Sequence, residues 1–261
     1  MIESLLTRSE LVRQLKTLGI KEGMVVLVQA RLSSFSYVLG GAQTVTDALL
    51  DCVGYDGTLI MPMFIKENSD PVTWSERVDH DVMETIRQQM PPYHPKESDS
   101  PWISEITENF RRRDGVIFSQ HPSFAFAAWG KYAKLVCNGQ SLHFPLSEES
   151  PLARIYELKG YVLLLGEDFD HCVMMHLGEY RSEIRPVILR GCSLKTSSGR
   201  RWRRYLDEDL DDSEFVKLGN YLNKRKLVLS KVIGGAPCHF FSAVHASDVT
   251  QQYFTALLNV I

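Results

Sequence analysis

The sequence predicts an α/β protein. One observation is the run Tyr161-Val162-Leu163-Leu164-Leu165, apolar without alternation and bounded by Gly160 and Gly166. Such a run reads as a strand buried on both faces. A second is that short apolar runs alternate along the chain with stretches of helical period. A third is the pair of segments after the central run: a polar loop over 167–171, then a helical pattern with His176 and Glu179 three residues apart. A strand end that leads through a polar loop into a helix is where α/β proteins usually place their chemistry. Spacing of three puts both side chains on one helix face. A carboxylate there can fix the tautomer of the imidazole and raise its basicity. The same spacing equally fits the outer face of an amphipathic helix.

Each element has its own signal. Thr7-Arg8-Ser9-Glu10 has capping-box spacing, so a helix starts there, with Leu11, Leu15 and Leu18 on its apolar face and Gly19 at its end. A strand over 24–28 follows, then a loop over 29–41 and a helix over 44–53. A turn at 54–57 leads to a strand over 58–61, which Pro62 is expected to end. Residues 65–101 are rich in Pro, Asp and His and read as a surface excursion with one helix near 81–89. A helix over 103–113 ends in Arg111-Arg112-Arg113, a run that suits a solvated helix end. A strand over 116–118 precedes a small-residue segment, 119–130, that reads as tight packing or as room for a thin ligand. Gly130 is expected to open a helix to Cys137, and Ser150-Pro151 has the signature of a helix start at 152–158. Beyond the central stretch come a strand over 187–189 and a polar segment ending in Arg200-Arg201-Trp202-Arg203-Arg204. Asp207-Glu208-Asp209 and Asp211-Asp212 then suggest a solvated hairpin whose charges cancel. A helix over 213–223, strands over 227–233 and 237–241, and a helix over 247–258 complete the chain.

Composition bounds the function. The chain has 261 residues, enough for one large domain over 1–261. A formal charge of -3 implies no broad attraction to nucleic acid or anionic membrane. No apolar run is long enough for a membrane span, and the acidic N-terminal segment reads as an amphipathic helix rather than a signal peptide. The cysteines at 52, 137, 172, 192 and 238 are scattered and form no C-x-x-C, which suggests core thiols and a cytoplasmic location. His171 and His176 lie near Asp168 and Asp170, but no standard ligand set is complete, so no metal is expected.

Several stretches taken in order resemble the aminoglycoside 3-N-acetyltransferase family. They are LKTLGIKEGMVVLV near the start, LSSFSYVLGGAQTVTDALLDCVGYDGTLIMP over 32–62, HPSFAFAAWG over 121–130, EESPLARIYELKGYVLLLG over 148–166 and HLGEYR over 176–181. The resemblance implies a three-layer α/β/α fold with a mixed central sheet, elaborated by surface loops. It implies transfer of an acetyl group, or another acyl group, from a CoA thioester to an amine of an antibiotic or another small molecule. The H-x-x-E match carries the family's base onto His176 and its orienting acid onto Glu179. Arg31, Ser33, Ser34, Gly40, Gly41, His121 and Ser150 fall in segments expected to line the CoA and acyl site. No metal cofactor is implied, and the oligomeric state stays open, a homodimer included.

The chemistry of those residues agrees. An amine at neutral pH is mostly ammonium and cannot attack a thioester until a base removes a proton. Backbone N–H groups can hold the developing oxyanion. The departures from the family cluster at the expected centre. Gln29-Ala30-Arg31 stands where the family usually reads His-Ser-Ser, Ala125 replaces a serine, Val173 a threonine and His94 an aspartate. Two alternatives therefore accompany the acetyltransferase reading: a biosynthetic enzyme of this fold with a different acyl donor or altered chemistry, and a non-catalytic binding homologue. For an aminoglycoside, a polycation, the excursion supplies Glu67, Asp70, Glu76, Asp79, Asp81, Glu97 and Asp99 as an acidic mouth.

Overall fold

Strands laid down by alternating apolar pairs build the molecule's centre. In the computed structural model, which describes residues 5–65, 68–74, 76–98 and 103–258, seven strands form a mixed sheet. They are β1 (Val25–Ala30), β2 (Thr58–Phe64), β3 (Ile117–Phe118), β4 (Phe124–Gly130), β5 (Tyr161–Leu165), β8 (Val228–Ile233) and β9 (Ala236–Ser242), in the order β3-β4-β2-β1-β5-β9-β8. The central three, β2, β1 and β5, are parallel, while β4 and β9 flank them antiparallel. Val26, Val28, Leu59, Met61, Leu163 and Leu165 face one core; Val25, Leu27, Ile60, Val162 and Leu164 face the other. Period-two alternation of apolar residues on both faces explains the uninterrupted apolar runs.

Helices cover both faces. α1 (Arg8–Leu18), α2 (Gly41–Val53) and α4 (Glu105–Arg111) pack on the first, with Leu11, Leu15, Val45, Leu49, Ile106 and Phe110 buried. α5 (Ala133–Cys137), α6 (Pro151–Glu157), α7 (Met175–Ser182), α8 (Phe215–Lys224) and α9 (Ala243–Leu258) cover the second. Gly178 lets α7 press on α9, because a Cβ there would lie 2.2 Å from the Ser247 carbonyl oxygen. The five cysteines are buried free thiols. No helix among the described residues is long and apolar enough to cross a membrane.

Several expectations need correction. Pro62 does not end β2, which runs to Phe64. β1 pairs with β2 only as far as Ile60, so Pro62 stands where one flank of the strand carries no ladder to disrupt. The small-residue segment is β4 itself: Ala125 and Ala127 face one core, Phe126 and Ala128 the other. Gly130 closes that strand, and the next helix begins only at Ala133. The strand expected at 187–189 extends into a ten-pair hairpin, β6 (Val187–Thr196) with β7 (Gly199–Glu208). Among the described residues, the arginine run over 200–204 and the acids over 207–212 are not ion-paired with one another. Arg200 donates to the carbonyls of Met90 and Arg87, Asp207 takes Arg190, and Asp212 takes His171.

Arg111 is also not solvated. It is 2% exposed, pairs with Glu108 and donates to the carbonyls of Pro95 and Ser98 at 2.8 and 3.1 Å. A buried guanidinium with three acceptors is a clamp on the excursion. Asn68 adds to the fastening by exchanging hydrogen bonds with the backbone of Ser193 at 2.9 and 3.1 Å. The excursion, with α3 (His80–Gln89), is thereby fastened to the hairpin and to α4.

Candidate active site

The carboxyl ends of β1, β2 and β5 open into a cleft of about 640 Å³. This is the edge of a parallel sheet where ligands of α/β proteins bind. Gln29, Ala30 and Arg31 form its floor, Phe64, Trp74, Phe124 and Tyr205 its aromatic wall, and His171, Val173, His176 and Asp212 its far side. The excursion supplies Trp74 to that wall and the hairpin Tyr205, so their mutual fastening bears on the site.

The His176 Nδ1 lies 2.8 Å from the Glu179 Oε2. A carboxylate partner places the proton on Nδ1 and leaves the Nε2 lone pair for another group. The imidazole is 14% exposed and packs on the Phe215 ring, at 4.9 Å between centroids. Glu179 is fully buried behind the ring and does not line the cleft. Its second oxygen, Oε1, accepts from the Arg185 Nε and from the Asp211 N–H at 3.1 Å. A buried carboxylate is tolerable when such partners offset its lost hydration. Arg185 also donates to the Asp211 carbonyl at 3.0 Å. Sequence reasoning assigned neither residue a role. α7 stops at Ser182 and Glu183 takes a left-handed turn, so no helical spacing connects Arg185 to Glu179.

A second imidazole shares the cleft. The Nδ1 of His171 lies 2.6 Å from the Asp212 Oδ2, and its Nε2 lies 3.7 Å from the Asp170 Oδ2. The hydrogen bond to Asp212 raises the pKa of His171, with Asp170 and Glu167 adding to it against partial burial. Gln29 holds the backbone around it: Nε2 donates to the His171 carbonyl at 2.7 Å, and Oε1 accepts the Val173 N–H at 2.8 Å.

The other anticipated residues divide. Arg31 is in the cleft but grips Glu167 with two donors at 3.1 and 2.7 Å. Ser33, Ser34, Gly40 and Gly41 come after it in the chain and leave the cleft lining. Ser34 donates to the Gly166 carbonyl at 2.6 Å, and Gly166 has φ 73 with room for no Cβ against Ser34 and the Arg31 carbonyl. Gly40 and Gly41 begin α2 with φ 82 and 58.

His121 and Ser150 do not fit the expected ligand role. Ser150 is 2% exposed and caps α6 by accepting the Ala153 N–H. His121 is 2% exposed; its Nδ1 accepts the N–H groups of Ser123 and Phe124 at 3.1 and 2.9 Å. Its Nε2–H therefore donates to the Leu142 carbonyl at 3.2 Å. Burial pushes its pKa down to about 3. Both ring nitrogens are consumed and the ring stays neutral, so His121 is a brace with no free lone pair for proton transfer.

Among the described residues, the acids expected to form an acidic mouth stay out of the cleft lining. Glu67 and Asp99 lie outside the described residues, and Asp70, Glu76, Asp79, Asp81 and Glu97 do not line the cleft. Asp70 is tied to Arg87 at 2.7 Å. His94 also stays out of the cleft lining, and Ala125 is buried within β4. Among the described residues no group of three His, Cys, Asp or Glu side chains is arranged to hold a metal ion.

Known proteins resemble this chain in sequence and fold. The model of the family described as aminoglycoside 3-N-acetyltransferase matches residues 27–255. The chain is 36% identical over 250 residues to the SPbeta prophage-derived aminoglycoside N(3')-acetyltransferase-like protein YokD of Bacillus subtilis (strain 168), spanning 95% of this chain and 92% of that one. The crystal structure of the YokD protein from Bacillus subtilis superposes with a TM-score of 0.94, over 98% of this chain and 96% of its own. Aminoglycoside N(3)-acetyltransferase IX of Micromonospora chalcea is 32% identical over 219 residues, covering 80% of this chain and 75% of the relative. AAC-IIIb in its binary complex with CoASH shares the fold, with a TM-score of 0.88 at 24% identity over 97% of this chain and 98% of its own.

Proposed function

This chain belongs to the aminoglycoside 3-N-acetyltransferase family, and on that premise we propose that it transfers an acetyl group from acetyl-CoA to an amine of an aminoglycoside or a related small molecule. His176 is the general base and Glu179 the group that orients it. The observation that carries this reading is the hydrogen bond between Nδ1 of His176 and the buried Glu179, on a ring that faces the 640 Å³ cleft. The nitrogen of the acceptor forms a bond to the thioester carbon while Nε2 takes its proton, and the C–S bond breaks with its electron pair leaving on the CoA sulfur. Glu179, itself held by Arg185 and Asp211, keeps the ring in place and stabilises the imidazolium. The loop after Arg31, with Ser33, Ser34 and the α2 start at Gly40-Gly41, is the place we assign to CoA. A helix start and hydroxyl groups beside the cleft suit a phosphate-bearing cosubstrate.

One observation favours a less cationic acceptor. Among the described residues lining the cleft, the carboxylates are Glu167 and Asp212, and both are paired, with Arg31 and with His171. The test is thiol release from acetyl-CoA with a panel of aminoglycosides, monoamines and no amine, each product checked by mass. Acetylation of an aminoglycoside supports the first reading. Acetylation confined to monoamines moves the acceptor class, and thiol release with no acceptor overturns N-acyl transfer.

A further inference from the structure

Base catalysis by His176 uses one imidazole of the cleft and leaves the other idle. His171 is built as carefully as His176. Asp212 holds Nδ1 at 2.6 Å, and Gln29 fixes the main chain just after the ring, through the His171 carbonyl and the Val173 N–H. Asp212 directly follows Asp211, whose N–H and carbonyl support Glu179 and Arg185. One dipeptide therefore steadies both histidines. The two differ in their surroundings. His176 meets one buried carboxylate that is already shared with an arginine. His171 has carboxylates toward both ring nitrogens, Asp212 and Asp170, and Glu167 nearby, the last bound to Arg31. That setting favours the doubly protonated ring.

We propose that His171 is the general acid of the acyl transfer, giving the proton on Nε2 to the sulfur that leaves the acyl donor. The proposal rests on the acyl-transfer reading. Its bookkeeping closes. The acceptor nitrogen donates its lone pair to the thioester carbon, the C–S bond breaks, and its electron pair stays on sulfur. His176 takes one proton from nitrogen, and His171 supplies one to sulfur. The products are an amide and a free thiol, and the proton returns from His176 to His171 through water in the open cleft. A thiolate released in a partly enclosed site loses hydration, so a donor there lowers the barrier. Ala30 and Val173 line that region without hydroxyl groups.

The discriminating experiment varies the leaving group. Wild-type protein, His171→Gln and His176→Ala are assayed with acetyl-CoA and with S-phenyl thioacetate, whose aryl thiolate leaves without help from an acid. With acetyl-CoA, His171→Gln should lose roughly a hundredfold in kcat/KM, the scale of a lost general acid. With the aryl thioester that loss should largely vanish, whereas His176→Ala should impair both donors alike. A structural role for His171 would slow both donors equally, and that result overturns the proposal, as does no loss with either. Asp212→Asn gives a second measure: the alkaline limb of the pH–rate profile should move to lower pH. An unmoved limb in an active Asp212→Asn protein also counts against it. A wild-type protein inactive with both donors and every amine removes the acyl-transfer reading, and this proposal with it.

Discussion

His121 and His176 both stand in stretches that resemble the same family, yet the fold gives them opposite environments. His121 sits at the turn into β4, sealed from solvent, with two N–H groups aimed at one nitrogen and a carbonyl at the other. His176 is on α7 and lines the cleft, with Nδ1 committed to a carboxylate. The first environment holds a neutral ring and uses it up. The second keeps a ring in one tautomer with a lone pair to spare. The difference teaches that an imidazole's hydrogen-bond partners, rather than its motif, decide whether it can move protons.

The largest effect should come from breaking the sealed ring. His121→Ala would strand two N–H groups and a carbonyl away from water, at about 1–3 kcal/mol each. The loss is large enough to unfold a marginally stable domain. Denaturant melts read it directly. The same ring gives a pH signature. Its folded value of about 3 lies below the ordinary 6.5, so the unfolded chain binds the proton first. Its contribution is complete above 6.5 and is lost as pH falls from there toward 3. His171 works in the opposite direction. Its raised value gives stability that is complete below 6.5 and is lost as pH rises through the folded value. A His121→Gln protein that still folds should show a flatter acid slope of Tm; an unchanged slope would mean that the sealed ring titrates normally.

Next comes the open ring. His176→Ala should lower kcat by roughly a hundredfold or more while the melting transition is largely retained. If turnover stays near wild type in folded protein, this residue leaves the mechanism, and His121 cannot replace it because neither of its nitrogens is free. Glu179→Gln should be milder in rate, on the order of tenfold, since the imidazole remains and only its charge partner is gone. It should also cost about 1–3 kcal/mol of stability, because Arg185 loses a buried counter-charge. A Glu179→Gln protein as slow as His176→Ala would give the carboxylate more than an orienting part.

The sequence carried much of this fold because its signals are local. Apolar runs marked β1 and β5, Ser150-Pro151 marked a helix start, and the three-residue spacing put His176 beside Glu179. Contact between distant segments stayed hidden. Arg111 looked like a helix end among three arginines, and only the returning excursion makes it a buried clamp. Asp212 looked like one acid in a run, and only the packing of the segment after β7 against the 169–171 turn pairs it with His171. Pro62 looked like a breaker because periodicity does not reveal which flank of a strand lacks a neighbour.

Gln29 offers the finest distinction between the two rings of the cleft. It was legible only as a departure from the family pattern, a residue lacking the expected imidazole. In the fold it has a positive task, since it spans 142 residues of sequence to hold the His171 carbonyl and reaches the Val173 N–H as well. Both bonds bear on the loop between β5 and α7, whereas Glu179 is anchored independently by Arg185 and Asp211. Gln29→Ala should therefore loosen residues 169–173 and leave the His176–Glu179 bond in place. Two lost bonds at about 0.5–1.5 kcal/mol each predict a small drop in Tm. Amide exchange should quicken at Val173 and its neighbours while the protons of α7 beyond Leu177 keep their protection. Exchange that quickens through Tyr180 as well would show that the loop and α7 move as one unit, and the separate anchoring of the two imidazoles would have to be abandoned.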